Sequence, residues 1–261
     1  MTATLLQYLL ATGSGTLVGL SLGLVGGGGS ILAIPLLTYV VGVANPHIAI
    51  GTSAIAVALN AAASLTLHAR TGSVKWHCAA VFTVAGAAGA FIGSTLGRMI
   101  DPNKLLAAFA VLMFVVGALM LRSRKQEGLS DVKLSRANLP WLVALGIASG
   151  LLSGFFGIGG GFLIVPALVY ATGMPMRNAI GSSLVAVTAF GLTTSFNYAS
   201  AGLIDVAIAT AFLLGGVIGS VGGLAAARRL AQSRGALNTA FAVLIFAAAI
   251  YVLVRSLGNI L

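Results

Sequence analysis

The chain has 261 residues, of which 59% are hydrophobic and 7% charged, with 14 Lys and Arg against 4 Asp and Glu. A soluble domain is roughly 25% charged, because it must present a polar surface to water. The composition therefore excludes a typical soluble globular protein and predicts an all-α polytopic membrane protein.

Eight uncharged apolar stretches are long enough to cross a bilayer core about 30 Å thick, which takes about 20 helical residues. They run at approximately 5–25, 48–69, 76–97, 105–121, 140–158, 178–200, 206–227 and 236–257. Two shorter apolar pieces, at 30–43 and 161–173, each follow a glycine cluster and precede a proline. At about 1.5 Å per residue these pieces cross only part of the core, so we expect two broken or re-entrant helices.

A charged linker divides the chain into similar halves. The predicted organisation is a first membrane repeat at 1–121, a basic cytoplasmic linker at 122–138 and a second membrane repeat at 139–261. An alignment of the halves that places Pro35 on Pro166 also superposes many glycines. After one deletion, the alignment continues and pairs positions 49–53 with 179–183. A match sustained over this length indicates an internal duplication.

The positions of the basic residues predict how the repeats are oriented. If each short piece returns through the membrane, the halves are inverted, with 11 basic residues on the linker side and three on the other. If each short piece forms a single crossing with its neighbour, the division is eight to six. Because Lys and Arg concentrate in cytoplasmic loops, we predict inverted repeats with both termini outside.

The net charge of +10 does not indicate binding to nucleic acid. Nucleic-acid-binding surfaces cluster basic residues among aromatic ones, whereas here they are scattered between apolar runs. The lipid bilayer is thus the predicted environment, and the oligomeric state, monomer or homodimer, is left open. The single cysteine, Cys78, excludes an internal disulfide, and no catalytic or metal-binding motif is present. We therefore predict neither an enzyme nor a bound cofactor.

The glycine clusters at 26–29 and 157–161 are the strongest indication of a binding site. Consecutive glycines interrupt a helix, and free backbone is tolerated in a membrane only where protein buries it or where it lines a wet cavity. Two restarting helices that face each other offer N–H groups and positive dipole ends to an anion. The alternative is close helix packing, which the four-residue spacing favours for glycines such as Gly15 and Gly19. The clusters contribute these predicted binding residues: Gly28, Gly29, Ser30, Gly159, Gly160 and Gly161.

Small polar residues follow each short helix. Further predicted substrate-binding residues are Thr52, Ser53, Asn60, Ser182, Ser183, Thr194 and Asn197. The alternative for a Ser or Thr is a hydrogen bond to a carbonyl of its own helix. The amide of Asn60 needs partners in hydrocarbon, so it either faces the cavity or holds the break in place.

Two prolines and four carboxylates bear on ion coupling. Pro35 and Pro166 are predicted to break the short helices, and each leaves one backbone carbonyl without its helical partner. The break is either a simple kink or a place where the free carbonyl binds a coupling cation such as Na⁺. The other candidate coupling ion is H⁺. Every Asp and Glu lies at a segment end or in the linker. Cation carriers often use buried acids, so the predicted substrate is a small anion.

The doubled motif resembles the sulfite exporter TauE/SafE family, also called the toluene sulfonate uptake permease family. The resemblance lies in Gly19–Pro35, its echo at Gly150–Pro166, and Ala-Ile-Gly-[Thr/Ser]-Ser at 49–53 and 179–183. It implies an inner-membrane transporter of small sulfur-containing anions such as sulfite, sulfonates or sulfoacetate. With inverted repeats, the expected mechanism is alternating access around a site between the two glycine breaks. The rival hypotheses are a channel-like anion pore and a membrane assembly or lipid-handling protein.

Overall fold

The computed structural model describes residues 4–25, 27–122, 135–229 and 234–258. Gly26 and most of the predicted linker at 122–138 lie outside the described residues. All regular structure within these ranges is helical, which confirms the all-α prediction. The first half contains α1 (Leu5–Val25), α3 (Pro46–Arg70), α4 (Trp76–Met99) and α5 (Pro102–Arg122). The second half contains α6 (Leu139–Phe156), α7 (Gly161–Thr172), α8 (Met176–Ala199), α9 (Val206–Arg229) and α10 (Arg234–Gly258).

Between α1 and α3 lies a short compound helix, α2. It consists of a 3-10 helix at Gly27–Leu32, a single α-helical turn at Ala33–Pro35 and a π-helical turn at Leu36–Val40. The second half has one short α-helix, α7, at the equivalent place. Within the described ranges, each half therefore contains four longer helices and one short one, as the apolar stretches predict.

Six of the described helices are long and apolar enough to cross a membrane. They are α1, α3, α4, α6, α8 and α9. The other two predicted spans form helices of 21 residues, α5, and 25 residues, α10, whose apolar parts within the described side chains are shorter, Pro102–Ala118 and Ile245–Ser256. The chain is thus a multi-pass membrane protein.

Glycines let two pairs of helices approach closely, α1 with α9 and α4 with α6. A Cβ atom on Gly19 of α1 would lie 2.0 Å from the carbonyl oxygen of Gly216 in α9, and one on Gly150 of α6 would lie 1.9 Å from that of Gly86 in α4. Nothing larger than glycine fits these positions without moving the backbone, because real Cβ atoms do not approach so near. The four-residue spacing at Gly15 and Gly19 thus serves helix packing.

Corresponding helices of the two halves make corresponding contacts, as expected for two repeats. In the predicted duplication α1 corresponds to α6 and α9 corresponds to α4, so the packing of α1 on α9 matches the packing of α6 on α4. The equivalent helices α3 and α8 contact each other and run antiparallel, because Gly51 faces Tyr198 while Gly191 faces Ala54. Equivalent helices that meet in opposite directions are what inverted repeats require, so these directions support the inverted arrangement, which remains a prediction.

Two equivalent loops test the inverted arrangement. Thr71 follows α3 and Ala201 follows α8, and both are exposed. With Cys78→Ala as background, we expect an impermeant thiol reagent to label Ala201→Cys in intact cells and Thr71→Cys only after permeabilisation. Labelling of both positions from the same side would contradict inversion.

Candidate functional site

The second glycine cluster forms a tight break between α6 and α7. Gly157, Gly159 and Gly160 have φ values of +69°, +70° and +68°. Left-handed backbone of this kind is strained for residues with a Cβ and unstrained for glycine. The glycines are therefore required by the chain reversal itself, which brings the first turn of α7 back against the end of α6.

This break lies where the two halves meet. A Cβ atom on Gly159 would lie 3.1 Å from Val57 in α3 and 3.2 Å from Val187 in α8. These two valines occupy equivalent positions in the alignment of the halves. Gly159 is thus held between the equivalent helices α3 and α8, close to the centre of the predicted symmetry.

The first turn of α7 offers unpaired backbone donors in a buried position. Residues 157–161 are all buried. The N–H groups of Leu163 and Ile164 donate to the carbonyl of Gly160 at 2.9 and 3.0 Å, whereas the N–H groups of residues 159–162 have no acceptor among the described residues. Free N–H groups at a helix N-terminus carry partial positive charge and attract anions.

The first glycine cluster lies beside the second. Gly28 and Gly29 belong to the 3-10 helix of α2, which contacts α7 and α8. A Cβ on Gly29 would lie 2.2 Å from Ser21 Oγ, just as one on Gly160 would lie 2.8 Å from Ser153 Oγ. Both short helices therefore fold back onto the end of the preceding helix, and the structure brings the two breaks together. Ser30 is fully buried, and Gly161 is the first residue of α7.

Thr52 and Ser182 make equivalent contacts between the halves. The backbone N–H of Asp205 donates to Thr52 Oγ1 at 3.0 Å, and that of Lys75 donates to Ser182 Oγ at 2.9 Å. Sequence reasoning assigned both hydroxyls to substrate and missed this role. The signal was present in the alignment of the halves, because it pairs Lys75 with Asp205 as well as Thr52 with Ser182.

The glycines of the same motifs permit these contacts. A Cβ on Gly51 would lie 2.2 Å from the carbonyl oxygen of Leu203, and one on Gly181 would lie 2.8 Å from that of Ser73. The motif at 49–53 therefore packs against the turn before α9, and the motif at 179–183 packs against the turn before α4. We call the two hydrogen bonds the Thr52 contact and the Ser182 contact.

Ser53 and Ser183 bond within their own helices. Ser53 Oγ donates to the Ile50 carbonyl at 2.9 Å, and Ser183 Oγ donates to the Ile180 carbonyl at 2.8 Å. Asn197 joins α8 to α4, since its Nδ2 donates to Ser94 Oγ at 2.7 Å. The two serine hydrogen bonds are the alternative that the sequence offered for membrane Ser and Thr residues. The Asn197 hydrogen bond instead stabilises the packing of α8 on α4.

Asn60 and Thr194 are buried without partners. Both residues are 0% exposed. Nδ2 and Oδ1 of Asn60 and Oγ1 of Thr194 have no hydrogen-bond partner among the described residues. Asn60 lies against Gly216 of α9, where a Cβ would approach its Nδ2 to 1.9 Å. Buried polar atoms are normally paired, so Asn60 and Thr194 differ from the predicted binding residues whose side chains are hydrogen-bonded.

The two prolines differ in their effect. Pro35 ends the single α-helical turn of α2 and precedes the π-helical turn. Pro166 lies inside α7, which continues through it to Thr172. Pro35 therefore marks a change of helical geometry, whereas Pro166 does not end its helix.

A separate cavity of about 610 Å³ opens at the far end of α2. It is lined by Thr38, Tyr39, Gly42, Val43, Ala44, Asn45, Pro46, Pro102, Asn103 and Leu106. None of the predicted binding residues belongs to this lining. The cavity lies between the end of α2 and the starts of α3 and α5, whereas the glycine break adjoins the other end of α2.

The surroundings of the glycine breaks carry no formal charge. Among the described residues, the buried polar side chains include no Lys, Arg, Asp or Glu. The same part of the chain holds no group of three or more His, Cys, Asp or Glu side chains that could bind a metal ion. Any anion at the breaks would depend on backbone N–H groups and neutral side chains.

The chain is similar to several known proteins. The family described as Sulfite exporter TauE/SafE matches residues 11–252. A "Probable membrane transporter protein" of Xylella fastidiosa (strain 9a5c) is 51% identical over 98% of this chain and 99% of its own length. The probable membrane transporter protein YunE of Bacillus subtilis (strain 168) is 24% identical over 86% of this chain and 90% of its own length. No solved structure matches the chain significantly.

A pair of alanine substitutions tests whether the break is tightly packed. Gly159 and Gly202 share a left-handed φ, +70° and +69°, but a Cβ on Gly202 would have no atom within 4 Å. We expect Gly202→Ala to cost only the backbone strain, about 1–2 kcal/mol. Gly159→Ala should lower the melting temperature in detergent further, because its Cβ contacts valines of both halves. Equal losses would contradict tight packing at the break.

Proposed function

Because the chain belongs to the sulfite exporter TauE/SafE family of membrane transporters, we propose that it is a secondary carrier of small sulfur-containing anions. The proposed substrates are sulfite, sulfonates and sulfoacetate, carried across the inner cell membrane. The proposal depends chiefly on one observation, the buried N–H groups at the start of α7 that have no acceptor within the described part of the chain. Broken helices whose N-termini face the membrane midplane are a recurring way for transporters to hold anionic groups.

The neutral surroundings fit this substrate class. A monovalent anion held by several N–H donors needs no neighbouring Lys or Arg, and its release is easier than from a fixed positive charge. Moving one negative charge out of a cell that is negative inside gains about 2.3 kcal/mol per 100 mV. Export therefore needs no coupling ion, whereas uptake would need H⁺ or Na⁺.

The Thr52 and Ser182 contacts suggest how alternating access would work. Each joins a turn of one half to a long helix of the other half, and in the inverted arrangement they lie at opposite membrane faces. Breaking the Thr52 contact would loosen the outer face, and breaking the Ser182 contact would loosen the inner face.

Cysteine accessibility tests these two contacts. Thr52→Val removes one hydrogen bond, which is worth about 0.5–1.5 kcal/mol net. The outer face of the protein should then be open about 2- to 12-fold more often. We expect a cysteine at position 53 in place of Ser53 to be labelled faster from outside in the Thr52→Val background. Ser182→Ala is the matched control and should leave this rate unchanged or lower it. Equal acceleration by both variants would contradict opposite faces.

Proteoliposomes distinguish a carrier from a pore. With purified protein we expect efflux of radiolabelled sulfite to be faster when unlabelled sulfite is present on the opposite side, because a carrier returns more quickly when loaded. A pore would show no such trans-stimulation. Loss of all anion flux, with the protein folded and inserted, would contradict the proposed function itself and favour the assembly or lipid-handling alternative.

A further inference from the structure

Three polar side chains lie together at the end of the bundle where α3 begins and where α4 and α8 end. They are His47 of α3, Arg98 of α4 and Tyr198 of α8. The rings of His47 and Tyr198 contact each other, with 6.2 Å between their centroids. His47 is 9% exposed and Tyr198 is 0% exposed. We call these three residues the His47 cluster.

Three observations place Arg98 beside the two rings. The carbonyl oxygen of Ile100, two residues after Arg98, lies 3.2 Å from His47 Nε2. Asn197, the neighbour of the tyrosine in the chain, donates to Thr95 Oγ1 at 2.8 Å. Thr95 lies one helical turn before Arg98 on the same side of α4. The guanidinium charge is also close enough to act electrostatically on both rings.

Each side chain of the His47 cluster keeps a buried polar atom without a hydrogen-bond partner among the described residues. These atoms are His47 Nδ1, Arg98 Nε and the Tyr198 hydroxyl oxygen. Buried polar atoms are normally paired, and an unpaired one destabilises the fold. Three such atoms, on neighbouring side chains from three helices, indicate one shared ligand that the chain itself does not supply.

The opposite end of the same helix pair lacks this feature. In the alignment of the halves, His68 occupies the position that corresponds to Tyr198. The ring of His68 is paired within the chain, because its Nδ1 lies 3.1 Å from Ser73 Oγ. The unpaired atoms therefore belong to one end of the α3 and α8 pair, which is the outer face in the predicted inverted arrangement.

The cavity of about 610 Å³ adjoins the His47 cluster. Asn45 and Pro46 line this cavity and directly precede His47. Pro102 also lines it and follows Ile100 by two residues. The cluster thus lies next to a space that is large enough to admit a small hydrated ion.

The contact of His47 with Ile100 decides which ring nitrogen carries the hydrogen. A carbonyl oxygen only accepts hydrogen bonds, so Nε2 is the donor and Nδ1 of the neutral ring is an unprotonated acceptor. An unprotonated nitrogen cannot bind an anion. Protonation of the ring turns Nδ1 into a donor, beside the donors Arg98 Nε and the Tyr198 hydroxyl.

We propose that the His47 cluster is a second anion-binding site, which takes up a small oxyanion together with one proton. The oxyanion accepts hydrogen bonds from Arg98 Nε and the Tyr198 hydroxyl, and the proton goes to His47 Nδ1, which then donates to the same anion. This inference goes beyond the proposed function, because it concerns a site at the end of the bundle that is separate from the glycine break. The bound proton also supplies what uptake of an anion would need.

The charges around the ring fit this combination. Arg98 and Asp101 are the charged groups that act on His47, with opposite signs, and Tyr198 is the titratable group in contact with it. Asp101 Oδ1 is already engaged, because it accepts from the first backbone N–H groups of α5 at 3.0 and 3.2 Å. An anion that arrives with a proton leaves the net charge of the site unchanged, which avoids burying an uncompensated charge.

Calorimetry on the purified protein in detergent tests the site without requiring transport. Methanesulfonate is the probe, because it stays a monoanion from about pH 6 to about pH 8, where histidine titrates. Titrations in buffers of different ionisation enthalpy give the number of protons bound with the anion. We expect close to one proton at the upper end of this range, and an affinity that falls up to about tenfold per pH unit. Binding without proton uptake, or no binding, would overturn the proposal.

Two histidine variants assign the proton to the His47 cluster. His47→Gln keeps an N–H donor for the Ile100 carbonyl but cannot bind a proton, so it should lose the proton uptake and the pH dependence. His68→Gln is the matched control at the opposite end and should keep both. Proton uptake that survives in His47→Gln would overturn the proposal.

Tyr198→Phe gives a second test that preserves the fold. It removes only a hydroxyl that has no partner in the described part of the chain, so the melting temperature should stay the same or rise. The affinity for methanesulfonate should fall about 10- to 150-fold, the range for a hydrogen bond to a charged group. Tyr39→Phe, in the cavity wall, is the control and should keep the affinity. Unchanged affinity in Tyr198→Phe would overturn the proposal, whereas absence of sulfite flux in proteoliposomes would overturn the proposed function.

Discussion

Backbone polar groups in hydrocarbon must be paired, and this constraint governs the arrangement of the whole bundle. The turn from α6 to α7 violates it, because four successive N–H groups have no acceptor among the described residues. Such a turn is tolerated only inside protein. The equivalent helices α3 and α8 enclose it, and the glycine-lined pairs α1 with α9 and α4 with α6 pack around that centre.

The same constraint separates two uses of polarity in this chain. In the part of the chain that the structure describes, formal charges lie near helix ends and in loops, where they bear on orientation in the membrane. The buried centre uses neutral donors: N–H groups, hydroxyls and the Asn60 amide. Most of these hydroxyls bond to the protein, as in the Thr52 and Ser182 contacts, and those hydrogen bonds hold the halves together at opposite ends.

The sequence predicted the helices well, because apolar stretches bounded by loops leave few alternatives; α1 spans Leu5–Val25, as its apolar stretch indicates. The glycine clusters correctly marked where the two short helices begin, since consecutive glycines cannot continue a membrane helix without cost. The partners of individual hydroxyls were not predictable in the same way. Thr52 and Ser182 are bound by turns that lie more than a hundred residues away in the chain, and a single side chain carries no signal of such a partner. Asn60 was predictable as an anomaly, although only the structure shows that neither polar atom of its amide has a hydrogen-bond partner among the described residues.

The central claim is that neutral donors at the centre of the bundle hold the anion. The most direct measurement is an experimental structure with bound selenite, an electron-dense analogue of sulfite, located by its anomalous or density signal. The account predicts a peak within hydrogen-bond distance of the backbone nitrogens of Gly160 and Gly161. A peak confined to the cavity beside Thr38 and Asn103, with the glycine break empty, would contradict it.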